Sequence, residues 1–273
     1  MVKLLYWRYF YRGFMDTRGG IDSDGFIATL SDELVQPEFQ VLLHDVCAVL
    51  VAHVEPLLDG IYLYGSVARG SAKLGFSDLD VTLVLRCKPS SLDRQKIESL
   101  RCILQDRHTE VTKIDFDIGS RAEALAPDNL FSWGYWLKHH CRCLWGNDLG
   151  EHFEPFRPSR AIALALNGDF HRVLTKYARR IKQENAPAET QRLQREASRK
   201  LIRSTNILRV DQDQAWPQTL EDHVELFIQH HPLMEPQINF FLVHARNPTA
   251  PVDEFVTQLQ GFIRWMDVHA PPS

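Results

Sequence analysis

The sequence predicts an α+β fold: a mixed β-sheet flanked by helices over the first half, followed by a C-terminal helical bundle. Three observations predict it. Residues 61–85 set short apolar runs around a glycine-bearing turn, the pattern of strand, turn, loop and strand. Residues 110–119 alternate apolar and polar side chains, as a further half-buried strand does. From Ser159 onward glycine nearly vanishes and apolar residues recur every three or four positions, the period of amphipathic helices. The expected organisation is an extension over 1–36, a sheet domain over 37–158 and a helical domain over 159–273.

The elements follow in order. Residues 4–12 are aromatic and basic, without the continuous apolar core or small-residue cleavage site of a signal peptide. They read either as an extension packed on the sheet domain or as residues upstream of a start at Met15. Residues 37–58 read as a helix with Val41, Leu42, Val46, Val49, Leu50 and Val54 inward, broken by Pro56. Residues 61–63 and 79–85 are strands. Ser90 or Ser91 caps a helix over 92–105, with Ile97, Leu100, Ile103 and Leu104 inward. The strand at 110–119 places Thr112, Ile114, Phe116 and Ile118 on one face and Val111, Lys113, Asp115 and Asp117 on the other. Short helices at 121–125 and 131–139 precede a strand at 141–145 and a linker at 155–158. Helices over 160–185 (with a break at Asn167-Gly168-Asp169), 192–209, 220–230, 234–245 and 252–268 make a four- or five-helix bundle.

The chemistry concentrates in 61–85. Gly65 carries no Cβ to keep a phosphate oxygen from the backbone, and Ser66 adds a hydroxyl beside free N–H groups. Gly70 and Gly75 keep the connecting loop pliable. Asp78 and Asp80 then enter an otherwise apolar strand. Residues two apart on a strand share a face, so the two carboxylates repel unless a cation lies between them. Mg²⁺ suits that place, because it takes oxygen from one or two carboxylates plus substrate phosphates. A glycine turn with solvent-facing acids would explain either half of the pattern alone, but chance rarely supplies the two halves together.

Gly65-Ser66-Val67-Ala68-Arg69-Gly70 and Ser77-Asp78-Leu79-Asp80 resemble the signature of the DNA polymerase β-type nucleotidyltransferase superfamily, in particular its bacterial minimal and aminoglycoside nucleotidyltransferase branch. The likeness covers about one hundred residues. It implies that Gly65, Ser66, Arg69 and Ser77 hold a nucleoside triphosphate, that Asp78 and Asp80 bind Mg²⁺, and that a third acid on a later strand completes the site. By analogy that acid is Asp115, with Asp117 the close rival; it would also help deprotonate the attacking hydroxyl. The implied reaction moves a nucleoside monophosphate, AMP from ATP, to an acceptor hydroxyl, with a small molecule such as an aminoglycoside favoured and residues 159–273 as the substrate-binding domain. The competing readings are a toxin-like or regulatory enzyme modifying protein or tRNA, and a catalytically silent nucleotide-binding module.

Composition narrows the remaining classes. A net charge of −4 gives no obligatory nucleic-acid partner. Five cysteines, an odd number, with no secretory leader expected, point to reduced thiols and a cytoplasmic setting. No stretch of about 20 apolar residues suggests a membrane span. The twelve histidines lack metal-ligand spacing. Arg199 or Lys200, in the basic helices, is expected either to be solvated or to reach a triphosphate, and the acidic run from Asp211 to attract a cationic acceptor. Trp133, Trp136 and Trp216 are candidate platforms for that acceptor, with core packing the competing role.

Overall fold

The computed structural model describes residues 18–30, 35–210 and 212–270. The aromatic, basic stretch at 4–12, Met15 and Asp211 lie outside the described residues. The chain forms two compact units: residues 29–156, and residues 157–270 together with 18–28.

In the first unit, α1 (Pro37–Val54) leads through one 3₁₀ turn to β1 (Leu58–Tyr64), so Pro56 falls just past the helix end, where its missing N–H costs least. A single turn, α2 (Gly65–Ala68), and a loop connect to β2 (Leu79–Leu85). Then come α3 (Ser91–Arg107), β3 (Ile114–Ser120), α4 (Arg121–Ala124), a π-helical turn over Leu130–Gly134, α5 (Tyr135–His139) and β4 (Arg142–Gly146). The four strands lie in the order β3-β2-β1-β4, with β2 and β3 parallel and the other pairs antiparallel. This is the mixed sheet that the strand pattern predicts.

Strand alternation gives the sheet two different faces. Leu58, Ile61, Leu63, Leu79, Val81, Leu83, Leu85 and Ile114 pack with α1 and α3 in the main core. Tyr62 and Val84 face the other way, into a smaller cluster with Ala124, Leu137 and Leu149. Ser90 caps α3 in a reciprocal pair with Asp93. Three apolar side chains depart from expectation. Val41 and Ile103 are exposed, while Phe39 and Leu43 fill the inward stripe of α1. Val111 is buried in the main core, because β3 begins only at Ile114 and the bend before it breaks the alternation.

Pro37–Leu57 reaches the length and mean hydropathy (1.3) of a membrane span, contrary to the expectation that no stretch would. Its strongest apolar positions, Leu42, Val46, Leu50 and Val54, are spent on the sheet.

The second unit contains six α-helices among the described residues, rather than four or five. They are α6 (Arg160–Asn167), α7 (Phe170–Gln183), α8 (Pro187–Ser204), α9 (Leu220–His230), α10 (Glu235–Arg246) and α11 (Val252–His269). The break at Gly168-Asp169 makes two helices of the expected one. Phe170, Leu174, Ala178 and Ile181 form the buried stripe of α7, and Phe255, Leu259, Phe262 and Met266 that of α11. Residues 18–28 belong to this unit. Trp216 N–H donates to Gly19 O at 2.6 Å, and the Arg157 guanidinium lies 4.2 Å from the centre of the Phe26 ring.

The charges here are mostly paired locally. Lys200 donates to Leu166 O, Asn167 Oδ1 and Asp169 Oδ1, which ties α8 to the α6–α7 joint. Arg192 pairs with Glu189 and Glu196, Asp222 caps α9, and Asp213 holds His230. Arg199 Nε donates to Ala245 O.

Candidate active site

The site grows from the end of β1. Tyr64 is extended, and Gly65 turns the chain at φ 76°, a left-handed value that side chains with a Cβ rarely adopt. A Cβ on Gly65 would stand 2.1 Å from Asp80 Oδ2. Glycine is therefore required twice, by its backbone angle and by the approach of the carboxylate. Past α2, Ser71 N–H bonds back to Ser66 O. Ser77 braces the loop: its Oγ accepts from Lys73 N–H at 2.9 Å, and its carbonyl accepts from Thr112 N–H. The Ser77 hydroxyl, expected at the nucleotide, is thus engaged with the loop backbone.

Strand register brings the acids together. Tyr64 pairs with Asp80, and Asp80 with Asp115; one step further, Thr82 pairs with Asp117. Directly paired residues point to the same face, and so do residues two apart. Asp80, Asp115 and Asp117 consequently share one face with Tyr64, and Asp78 precedes Asp80 by two. Alternation alone could not separate Asp115 from Asp117, because both lie on the productive face.

Their partners differ. Tyr64 Oη donates to Asp117 Oδ2 at 2.5 Å. The same ring meets Trp136 edge-on, with centroids 4.9 Å apart, and Trp136 Nε1 donates to Thr82 Oγ1 at 3.5 Å. Thr112 Oγ1 donates to Asp78 Oδ1. Lys113 Nζ sits 2.5 and 2.8 Å from the two oxygens of Asp115. Among the described residues no donor reaches Asp80. Burial, and then the charges of Asp78, Asp115 and Asp117, push its carboxyl up to about 6, against a smaller opposing pull from Arg69. Burial and the bond to Asp117 likewise raise the Tyr64 phenol well above its usual range, so it remains a neutral donor.

Tyr64, Thr112 and Lys113 are the site residues that pattern reading missed as partners. Lys113 could be placed on the acid face by alternation; its contact with Asp115 needed coordinates. Trp133 packs over β3, where Gly119 makes room: a Cβ there would lie 2.4 Å from its ring. Trp216 is buried beside Arg209 in the second unit. Of the three tryptophans, Trp136 stands next to the acid cluster, through Tyr64.

The donor set fits a hard divalent cation that completes its shell with substrate oxygens. The acids are oxygen donors, and the half-buried Asp80 has no ion-pair partner among the described residues. No three His, Cys, Asp or Glu side chains among the described residues form a ready-made metal cage.

Residues 53–123 match a protein-family model described as a nucleotidyltransferase domain. The matched segment contains Gly65, Ser66, Asp78, Asp80, Asp115 and Asp117. That segment, within the first unit, is similar to a nucleotidyltransferase domain. The solved structures include a match to spectinomycin adenyltransferase AAD(9) from Enterococcus faecialis, determined with ATP and spectinomycin. It is 15% identical, with a TM-score of 0.54, and the alignment covers 82% of this chain and 98% of that one. At that identity the likeness shows a shared fold, of the kind the resemblance implied. No curated protein sequence matches the chain. In the first unit, the paired strands β1, β2 and β3 are the frame on which the turn and the acids are mounted.

Proposed function

We propose that the protein is an Mg²⁺-dependent nucleotidyltransferase that transfers AMP from ATP to a hydroxyl of a small-molecule acceptor. One observation carries the reading: strand register gathers Asp80, Asp115 and Asp117 on one face beside the Gly65 turn, with no donor to Asp80 among the described residues. The ligands named with AAD(9), ATP and spectinomycin, support the choice of nucleotide and acceptor class.

Ser66 offers a hydroxyl on the turn that Gly65 makes, and Arg69 adds positive charge beside the acids. Asp78 and Asp80 would hold Mg²⁺ together with Asp115. The bound ions supply Lewis-acid stabilisation of charge on the transferring phosphoryl group. Asp115 orients the acceptor hydroxyl and accepts its proton. The acceptor oxygen forms a bond to the α-phosphorus, the bond from that phosphorus to the bridging oxygen breaks, and pyrophosphate leaves with the electron pair.

Labelled ATP tests this. With Mg²⁺ and a panel of aminoglycosides and aminocyclitols, label from the α-phosphate should appear on a small molecule and pyrophosphate should accumulate. Label on protein or RNA from a cell extract would move the acceptor class. Absence of any transfer with all three acceptor classes would overturn the enzymatic reading.

A further inference from the structure

We infer that Lys113 is the resident counterion of the acidic cluster: its ammonium holds Asp115 in the metal-free protein and must leave that carboxylate when a divalent cation takes it. The inference rests on the metal reading proposed above.

The four acids are partnered in three different ways. Asp78 and Asp117 accept from neutral hydroxyls, those of Thr112 and Tyr64. A neutral donor can stay while the carboxylate also binds a cation. Asp80 has no donor among the described residues. Asp115 alone of the four is held by a full positive charge, with both oxygens within 2.8 Å of Lys113 Nζ. An ammonium and a divalent cation on one carboxylate repel each other, so the two states exclude one another.

The exchange is cheap for this chain. The Lys113 side chain is 57% exposed and that of Asp115 38%. An ion pair so open to water is weak, and its lysine can swing into solvent without burying a charge. Lys113 also has a reason to be there. It lies two residues before Asp115, and its positive charge stands against a cluster of four acids. It lowers the cost of assembling the acids before a metal arrives.

Mn²⁺ binding without nucleotide, followed by electron paramagnetic resonance, tests this independently of catalysis. Lys113→Met should tighten Mn²⁺ about two- to fivefold, the range set by a surface ion pair. Lys113→Arg should stay near the wild-type value. In an Asp115→Asn background the same Lys113→Met change should no longer tighten binding. Unchanged or weaker binding by Lys113→Met, while wild-type binding is intact and lost in Asp80→Asn, overturns the inference and leaves the metal reading standing. Tightening that persists in the Asp115→Asn background also overturns it, because the effect would then be one of general charge. Wild-type protein whose Mn²⁺ binding is indifferent to Asp80→Asn overturns the metal reading and this inference together. Lys113→Gln provides a second neutral variant should Lys113→Met fold poorly.

Discussion

Two acids in the same sheet, one buried and one half-buried, behave in opposite ways. Asp59, in β1, is 5% exposed and fully matched: Arg121 Nη1 reaches both its oxygens at 3.1 and 2.9 Å, and Asn147 Nδ2 donates at 2.9 Å. Asp80, in β2, is surrounded by other acids, and its carboxyl is raised to about 6. A buried carboxylate with a fixed cation and hydrogen bonds is part of the scaffold. One placed among like charges without a partner costs stability, and the cost has meaning only if something else supplies the cation. The contrast separates architecture from chemistry within one strand pair.

The largest expected effect comes from removing the unpartnered acid. Asp80→Asn should lower AMP transfer by at least about 10³-fold, since Lewis-acid stabilisation is worth several kcal/mol and each 1.36 kcal/mol is tenfold. Steady-state assays with labelled ATP measure it; circular dichroism should show the fold intact. Substitution of the scaffold acid should do the reverse. Asp59→Ala strands the Arg121 charge and should cost about 3 kcal/mol in urea unfolding. Activity per folded molecule should remain.

Smaller effects sharpen the contrast. The folded Asp80 carboxyl titrates near 6 rather than at its ordinary 3.8. Between those values the native chain binds more protons than the unfolded one, so metal-free stability should fall as pH rises from about 4 to 6. Asp80→Asn should therefore stabilise the metal-free protein at pH 7 by on the order of 1 kcal/mol, after discounting for the water that reaches the group. Thermal melting across pH, with and without Mg²⁺, checks both. Tyr64→Phe, which removes only the bond to Asp117, should cost about 0.5–1.5 kcal/mol of stability and less than tenfold in transfer. A loss as deep as that of Asp80→Asn would move Asp117 into the reaction.

Much of this domain was legible in sequence, because each feature is local. Glycine before serine, two aspartates two apart, and an alternating strand fix which residues can face each other. Proline and the Gly168-Asp169 break likewise mark helix ends by backbone chemistry. What escaped depends on pairing across the chain. Asp115 and Asp117 differ in their partners, Lys113 and Tyr64, while periodicity treats the two acids alike. Alternation puts Val111 on the acid face, and a bend before Ile114 that only the fold creates turns it into the core. The packing of residues 18–28 with the helical unit includes a backbone bond from Trp216 and the stacking of Arg157 on Phe26, which no periodicity encodes.

The most direct test is the anomalous-scattering map of crystals holding Mn²⁺ and a non-hydrolysable ATP analogue. A peak shared by Asp78, Asp80 and Asp115, with Tyr64 still on Asp117, is the predicted result. A map with no cation at Asp80, or with the only peak elsewhere on the chain, would contradict the account.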